Sequence, residues 1–352
     1  MKFLMALTLL AGCSDKTGTD DSATEPTGTT DSTAPTDDTS GGDSTPGETG
    51  DTAPDSGQDD TAPPPDPDTV PLSGVCPLET DLGGFVVEVY EDDSNVAGAV
   101  LEGVVPSSIL EFVASEGDCA LYRQLNPYCH PACDAGYTCN FKNECVPYPQ
   151  SQDLGTVSLD GLTQPLDMEP VTPGYTYYDT DLKHPIFTSG GLVTLDMPAG
   201  TYGPATLYGV GVEPMAELAE LWTIEDGVDT TVTWAPPTAE VVRSDVYLTV
   251  NIDQHGVSPA SLYCVFEDDG DGTIPGSLVS TMVASGVTGF PTGLASRRTA
   301  DSVSLSAGCM DLTVASPRTV AVDVANYTPC VVNEDCPPGQ ECNFEFQICE
   351  DI

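Results

Sequence analysis

The sequence predicts a mainly β protein. It reads as an antiparallel β-sandwich with a smaller β-rich unit and two small disulfide-rich modules, preceded by a disordered stalk. Three observations predict this. Short runs of residues alternate apolar and polar between Gly, Pro and Asp, the period of a half-buried strand. The chain holds 13 cysteines, and two clusters of them share a motif. A long opening tract of Asp, Thr, Ser, Gly and Pro contains almost nothing apolar.

The chain begins "MKFLMALTLLAGCSDK". Lys2 supplies a minimal positive end, and residues 3–10 form an apolar run too short for a bilayer span of ~20 residues. Leu10, Ala11, Gly12 and Cys13 read as a lipobox, which resembles the bacterial lipoprotein signal. That resemblance implies that residues 1–12 are a removed signal peptide, outside the fold. It also implies that Cys13 carries the acyl chains and that a membrane is a partner. Ser14 rather than Asp follows Cys13, which by the sorting rule of such proteins points to the outer membrane or cell surface.

Residues 13–72 comprise the acylated cysteine and the stalk. Loose "DTAP" echoes recur at Asp51 and Asp60. Such a tract buries too little apolar surface to offset its ordering entropy, so disorder is expected. As a flexible coil it would average roughly 40 Å end to end, and more with proline and charge repulsion. The formal net charge of the whole chain is −47. A chain so acidic repels nucleic acid, which excludes that class of partner.

Residues 73–127 are expected to form the smaller β-rich unit. "GGFVVEVYED" places Phe85, Val87 and Val89 on one face, and "SSILEFVASEG" reads as a strand in preference to a short helix. Residues 151–327 are the expected sandwich. "GLVTLDM" aligns Val193, Leu195 and Met197; "TTVTWAP" pairs Val232 with Trp234. "SDVYLTVNID" aligns Val246, Leu248, Val250 and Ile252, and "SLYCVFED" aligns Leu262, Cys264 and Phe266. "RTVAVDV" aligns Val320, Val322 and Val324, while "MAELAELW" suggests one or two helical turns.

Residues 128–150 and 328–352 are the two four-cysteine modules. Both contain Cys-x2-Gly-x2-Cys-Asn-Phe: Cys133, Gly136, Cys139, Asn140, Phe141, and Cys336, Gly339, Cys342, Asn343, Phe344. Each has one more cysteine before the motif, Cys129 or Cys330, and one after it, Cys145 or Cys349. Pieces this short lack a core and depend on cross-links. Setting Cys13 aside leaves twelve cysteines, enough for six disulfides in an oxidising compartment. Three pairings are open to each module. The interlaced one is expected, since it closes similar loops around the central glycine: Cys129 with Cys139, Cys133 with Cys145, Cys330 with Cys342, Cys336 with Cys349. Elimination then pairs Cys76 with Cys119 and Cys264 with Cys309. Zinc at Cys129, His130, Cys133 and Cys139 is the weaker reading, because the second module has no histidine.

The lipobox, the Asp/Thr/Pro leader and the four-cysteine modules resemble surface lipoproteins of myxobacteria and related Gram-negative bacteria. The tracts "GDCALYRQLNPYCHPAC", "HPIFTSGGLVTL" and "CVFEDDGDGTIPGSL" carry the same resemblance. It implies an architecture and an address, and no activity.

Catalytic motifs are absent from the sequence. There is no Gly-x-Ser-x-Gly elbow, His-Glu-x-x-His or P-loop, and the only histidines are His130, His184 and His255. "FEDDGDGTI" sets Glu267, Asp269, Asp271 and Gly272 partly like the start of a calcium loop. The bidentate glutamate expected later falls on Leu278, and Pro275 interrupts the tract, so a turn is the stronger expectation and calcium at Asp269 and Asp271 the weaker. No other cofactor is indicated. The sequence therefore predicts a non-catalytic, lipid-anchored surface protein with a binding, adhesion or envelope-structural role. Two alternatives stand beside it. One is a carbohydrate-binding module using Tyr175, Tyr177 and Tyr178. The other is a secreted hydrolase grouping His184 or His255 with Asp and Ser.

Overall fold

The computed structural model describes residues 64–352, apart from 104–105, 107–109, 125–128, 141, 180, 199 and 253–259. Cys13, the lipobox, stalk residues 13–63 and His255 lie outside the described residues. The fold is mainly β.

Strands β1 (Asp81–Val89), β2 (Ser94–Glu102), β3 (Leu110–Glu116) and β4 (Cys119–Gln124) come first. The first cysteine module carries the ribbon β5 (Tyr137–Cys139) and β6 (Cys145–Pro147). There follow β7 (Gln150–Ser151), β8 (Val157–Asp160), β9 (Leu166–Met168), β10 (Tyr177–Asp179), β11 (Leu192–Met197) and β12 (Ala205–Val210). The next strands are β13 (Leu221–Ile224), β14 (Thr230–Thr233), β15 (Asp245–Asn251), β16 (Ala260–Glu267) and β17 (Asp271–Ile274). Helix α1 (Gly276–Ala284) precedes the long hairpin of β18 (Thr292–Ser304) and β19 (Cys309–Val324). The ribbon β20 (Gln340–Asn343) and β21 (Ile348–Asp351) belongs to the second module.

The main sheet runs β10-β2-β1-β19-β18-β15-β16-β4-β3, with β13 also paired to β19 and β7 to β2. It is mixed: β1 and β13 both run parallel to β19, along its first and last parts respectively. An antiparallel sheet was the expectation. Side-chain alternation has the same period in both kinds of pairing, so pattern alone cannot separate them.

A second sheet, β12-β11-β8-β9, closes one core against β1, β2, β10 and the start of β19. Phe85, Val87, Val96, Leu159, Val193, Leu195, Leu207, Leu312 and Val314 fill it. The other core lies under β4, β15, β16 and the end of β19. It is covered by β13, the β14–β17 pair and α1, and holds Trp222, Val232, Trp234, Val246, Leu248, Leu262, Phe266, Leu278, Met282, Val320 and Val322. The expected inward faces of these strands are therefore the observed ones.

The separate units expected at 73–127 and 151–327 are corrected. Strands β1 to β4 are built into the same sheet as β15, β16, β18 and β19. Both cores also share the β18–β19 hairpin, because alternate residues of β19 serve first one and then the other. The stalk boundary at residue 72 is corrected too. Val70 is buried, Arg243 donates to the carbonyls of Pro67 and Val70, and the Ser73 and Gly74 N–H groups bond to Asp301 and to the Ala300 carbonyl. One apolar residue and a few bonded carbonyls suffice to hold residues 66–74 as a strap on the head. The helical turns expected at "MAELAELW" are an irregular crossing followed by β13, with Met215 and Leu218 buried. The signal for α1 was Pro275 ahead of Leu278, Val279 and Met282, apolar residues at helical spacing.

Among the described residues there are six disulfides. Within the modules Cys129 is joined to Cys139, Cys133 to Cys145, Cys330 to Cys342, and Cys336 to Cys349. Gly136 and Gly339 adopt φ of 91° and 94°, the left-handed turn that the shared motif demands. The shared asparagine shapes the next turn: Asn140 Oδ1 accepts from the Lys142 and Glu144 N–H groups, and Asn343 Oδ1 from those of Glu345 and Phe346. The pairings Cys76 with Cys119 and Cys264 with Cys309 are corrected: Cys76 is joined to Cys309, and Cys119 to Cys264. Strand pairing dictates both. β4 sets Cys119 directly opposite Cys264 on β16, while β1 sets Asp81 opposite Cys309, which brings Cys76 alongside.

Candidate functional site

The outer face of the main sheet is the side turned away from both cores. On β3, β4, β16 and β15 it carries Phe112, Tyr122, Tyr263 and Tyr247. Their rings follow one another at 5.7, 5.5 and 6.2 Å between centroids. The first two steps are edge-to-face, at 72° and 78°. Arg298 on β18 completes the row, its guanidinium carbon 4.3 Å from the Tyr247 ring centre, an electrostatically favourable cation–π contact. It also bonds Asp245 at 2.8 Å. Glu111 and Arg123 pair at 2.7 Å on β3 and β4. Burial pushes the Tyr247 phenol up, Tyr263 adds to the effect, and Arg298 opposes it. Behind the ladder, on the core side, the Cys119–Cys264 bond ties β4 to β16. The ladder is thus a rigid surface with Phe112 56% exposed at its edge.

The same strands lead to an open groove of about 580 Å³ at the start of β15 and the end of β16. Pro236, Pro237, Val242, Val265 and Phe266 form its apolar walls, and Ser244, Asp245, Glu267, Asp268 and Asp269 its polar lining. Asp268 sits buried at its base and belongs to a closed network. It accepts from Arg297 Nε at 2.6 Å and Nη2 at 2.9 Å, from Trp234 Nε1 at 2.9 Å, and from Ser244 Oγ at 2.5 Å. Arg297 donates further to the carbonyls of Ala235, Glu213 and Pro214.

This network explains how the two cores share one sheet. Between the apolar stretches of β19 lie Ser316 and Arg318, opposite Arg297 and Ala295 of β18. The chain crosses from one core to the other over this belt. Its backbone groups bond to side chains: Val210 to Thr299, Met215 to Ser316 and Arg318, and Glu213 and Pro214 to Arg297. Buried backbone polar groups need partners, and here side chains stand in for a neighbouring strand.

The residues singled out in the sequence fall as follows. Asp269 and Asp271 are exposed on the turn from β16 to β17, around Gly270 at φ 119°. β17 pairs with β14, not back onto β16 as a hairpin would. Among the described residues no group of three converging His, Cys, Asp or Glu side chains includes Asp269 or Asp271. The module cysteines are disulfide-bonded and offer no thiolate to zinc. His184 Nδ1 lies 3.0 Å from Ser94 Oγ, an exposed pair. Among the described residues no carboxylate hydrogen-bonds His184. The row Tyr175, Tyr177, Tyr178 is not a platform. Tyr177 is 1% exposed, packs on Phe85 and accepts from the Leu154 N–H, whereas Tyr178 points outward on the other face of β10. The ladder actually present draws one ring from each of four strands, a cross-strand arrangement that no local sequence pattern reveals.

A carboxylate pair lies elsewhere on the outer face. Asp81 and Asp311 have oxygens within 4.8 Å of each other, beside the Cys76–Cys309 bond. Asp311 is pushed up to about 6, first by burial and then by the Asp81 charge, against the Cys76 N–H that bonds it. Its folded value exceeds its unfolded one, so the protonated form is favoured in the fold. The contribution of this group to stability should therefore fall as pH rises from about 4 to about 6 and then level off. Asp311→Asn is expected to raise stability at pH 7.5 by ~1–3 kcal/mol and to lose that advantage near pH 4. Thermal unfolding of both proteins across this range checks it. A variant equally or less stable at pH 7.5 would contradict the assignment.

Six disulfides fit an extracytoplasmic protein. Among the described residues no helix is long and apolar enough to cross a membrane. No protein-family model matches the chain, and no curated protein matches it.

Proposed function

We propose that the chain is a lipid-anchored protein of the outer membrane or cell surface, whose head binds a partner without transforming it. The observation that carries this reading is the aromatic ladder on the outer face of the main sheet, exposed at its Phe112 edge. Aromatic rings with one side open to water are the side chains that dominate protein interfaces. The ladder is pre-organised by strand pairing and by the Cys119–Cys264 bond, which lowers the ordering cost of binding. Its edge-to-face steps do not make the flat surface on which sugar rings stack, so a protein or peptide ligand is favoured over a carbohydrate. The strap at residues 66–74 and the Cys76–Cys309 bond would attach the anchor side of the chain to β19, in the middle of the sheet.

The test uses the full chain in a Gram-negative host. Wild type should fractionate with membranes and Cys13→Ser should become soluble. Purified head should bind isolated envelopes of the producing cells, and Phe112→Ala with Tyr122→Ala should weaken that binding about tenfold or more. A Cys13→Ser protein that stays membrane-bound after carbonate washing refutes the anchor. Envelope binding unchanged by the two ring deletions refutes the face.

A further inference from the structure

We infer that the groove beside the ladder is a docking site for a basic peptide segment, one that lays a lysine or arginine side chain between its apolar walls. The inference rests on the binding reading above and names the chemistry of the ligand.

The charge balance of the lining decides the sign. Asp245 is neutralised by Arg298 and Asp268 by Arg297. Glu267 and Asp269 remain, both exposed, and among the described residues neither carboxylate has a hydrogen-bond or ion-pair partner. The groove therefore carries two uncompensated negative charges. Its walls are apolar: Val242 and Val265 stand 48% and 44% exposed, with Pro236, Pro237 and Phe266 beside them. An apolar slot ending in carboxylates matches a lysine or arginine side chain, whose alkyl stem covers apolar surface while its charged head reaches the acids.

The base of the slot is rigid. Asp268 holds Trp234, Ser244 and Arg297, so the elements on both sides of the groove are joined beneath it. A second copy of this chain is a poor occupant. It has only 9 lysines and arginines, and all five arginines are engaged within the head. The partner is therefore a different, basic chain, which the net charge of −47 would attract over a distance at low salt.

The probe is a short fluorescent peptide alternating lysine with leucine, titrated into the purified head at physiological salt. Glu267→Gln with Asp269→Asn should weaken binding about tenfold, and Val265→Ser about threefold. Acetylating the peptide lysines should abolish binding. The control is Glu91→Gln with Asp92→Asn, the same charge change at the turn between β1 and β2, outside the groove. It should leave affinity within about twofold of wild type. Unchanged melting temperatures establish that all variants are folded. If the groove pair and the control pair weaken binding equally, attraction to the acidic chain as a whole explains the effect and the inference falls. Equal affinity for the acetylated peptide also overturns it. Should the groove variants lose nothing while the ring deletions still abolish envelope binding, the docking site is refuted and the binding function stands.

Discussion

Replacing Asp268 by Ala is expected to cost about 3–5 kcal/mol of folding stability, because it strands a buried guanidinium without its counter-ion. The pair is closed to water: the side chains of Arg297 and Asp268 are 2% and 0% exposed. Four donors converge on one carboxylate, and losing it takes the acceptor from Trp234 Nε1, Ser244 Oγ, Arg297 Nε and one N–H of Arg297 Nη2, which keeps its bond to the Ala235 carbonyl. Arg297→Met alone should cost a similar amount, since it leaves the carboxylate buried and frees the carbonyl of Ala235. The double change Asp268→Leu with Arg297→Met should recover much of the loss, as replacing a whole buried pair by apolar groups often does. Recovery should be incomplete, because the crossing backbone at Glu213 and Pro214 also bonds to Arg297. Urea unfolding of wild type, Asp268→Leu, Arg297→Met and the double variant forms a double-mutant cycle. Single changes costing under about 1 kcal/mol would mean that the network is not closed as described.

Removing the bond between Cys76 and Cys309 is expected to cost about 2–5 kcal/mol. The two residues are 233 positions apart, so the bond closes almost the whole head into one loop. In the chain-entropy account, which is model-dependent, long loops give the larger stabilisation. Loss should be greatest in the strap. Hydrogen exchange of residues 66–76 should rise before that of β19 in the Cys76→Ser, Cys309→Ser variant. Proteolysis without reduction, followed by mass spectrometry, should yield peptides joining Cys76 to Cys309 and Cys119 to Cys264. A peptide joining Cys76 to Cys119 would restore the sequence-local pairing and contradict the topology. Removal of either module bond alone should be milder, since those loops span 10 to 13 positions and each module keeps a second cross-link.

The two pairings that chain proximity misassigned show where local reasoning ends. Cys76 and Cys119 flank the first strands, and nothing near them indicates that β1 lies against β19 or β4 against β16. The same holds for the ladder, where Phe112, Tyr122, Tyr247 and Tyr263 are spread over four strands. "GYTYYDTD" offered aromatic residues in a row, but successive strand residues face opposite ways, so Tyr177 and Tyr178 were bound to separate. The groove had one legible component. "FEDDGDGTI" stood out for its acids, and Glu267, Asp268 and Asp269 do line it. Part of its apolar wall, Pro236, Pro237 and Val242, came from a tract with no pattern of its own.

The sequence by itself determined the mainly β class, the inward faces of β1, β11, β14, β15, β16 and β19, and the left-handed turns at Gly136 and Gly339. These follow from alternation and from backbone sterics, which act between residues a few positions apart. Tertiary structure alone decided that β1 and β13 run parallel to β19 and that two cores share one hairpin. It also decided that Arg297 lies buried between those cores on Asp268. A strand carries the same alternation whichever neighbour it takes. Its partner is chosen by the burial and hydrogen bonding of the whole sheet, and residues brought together only by that choice leave no local mark.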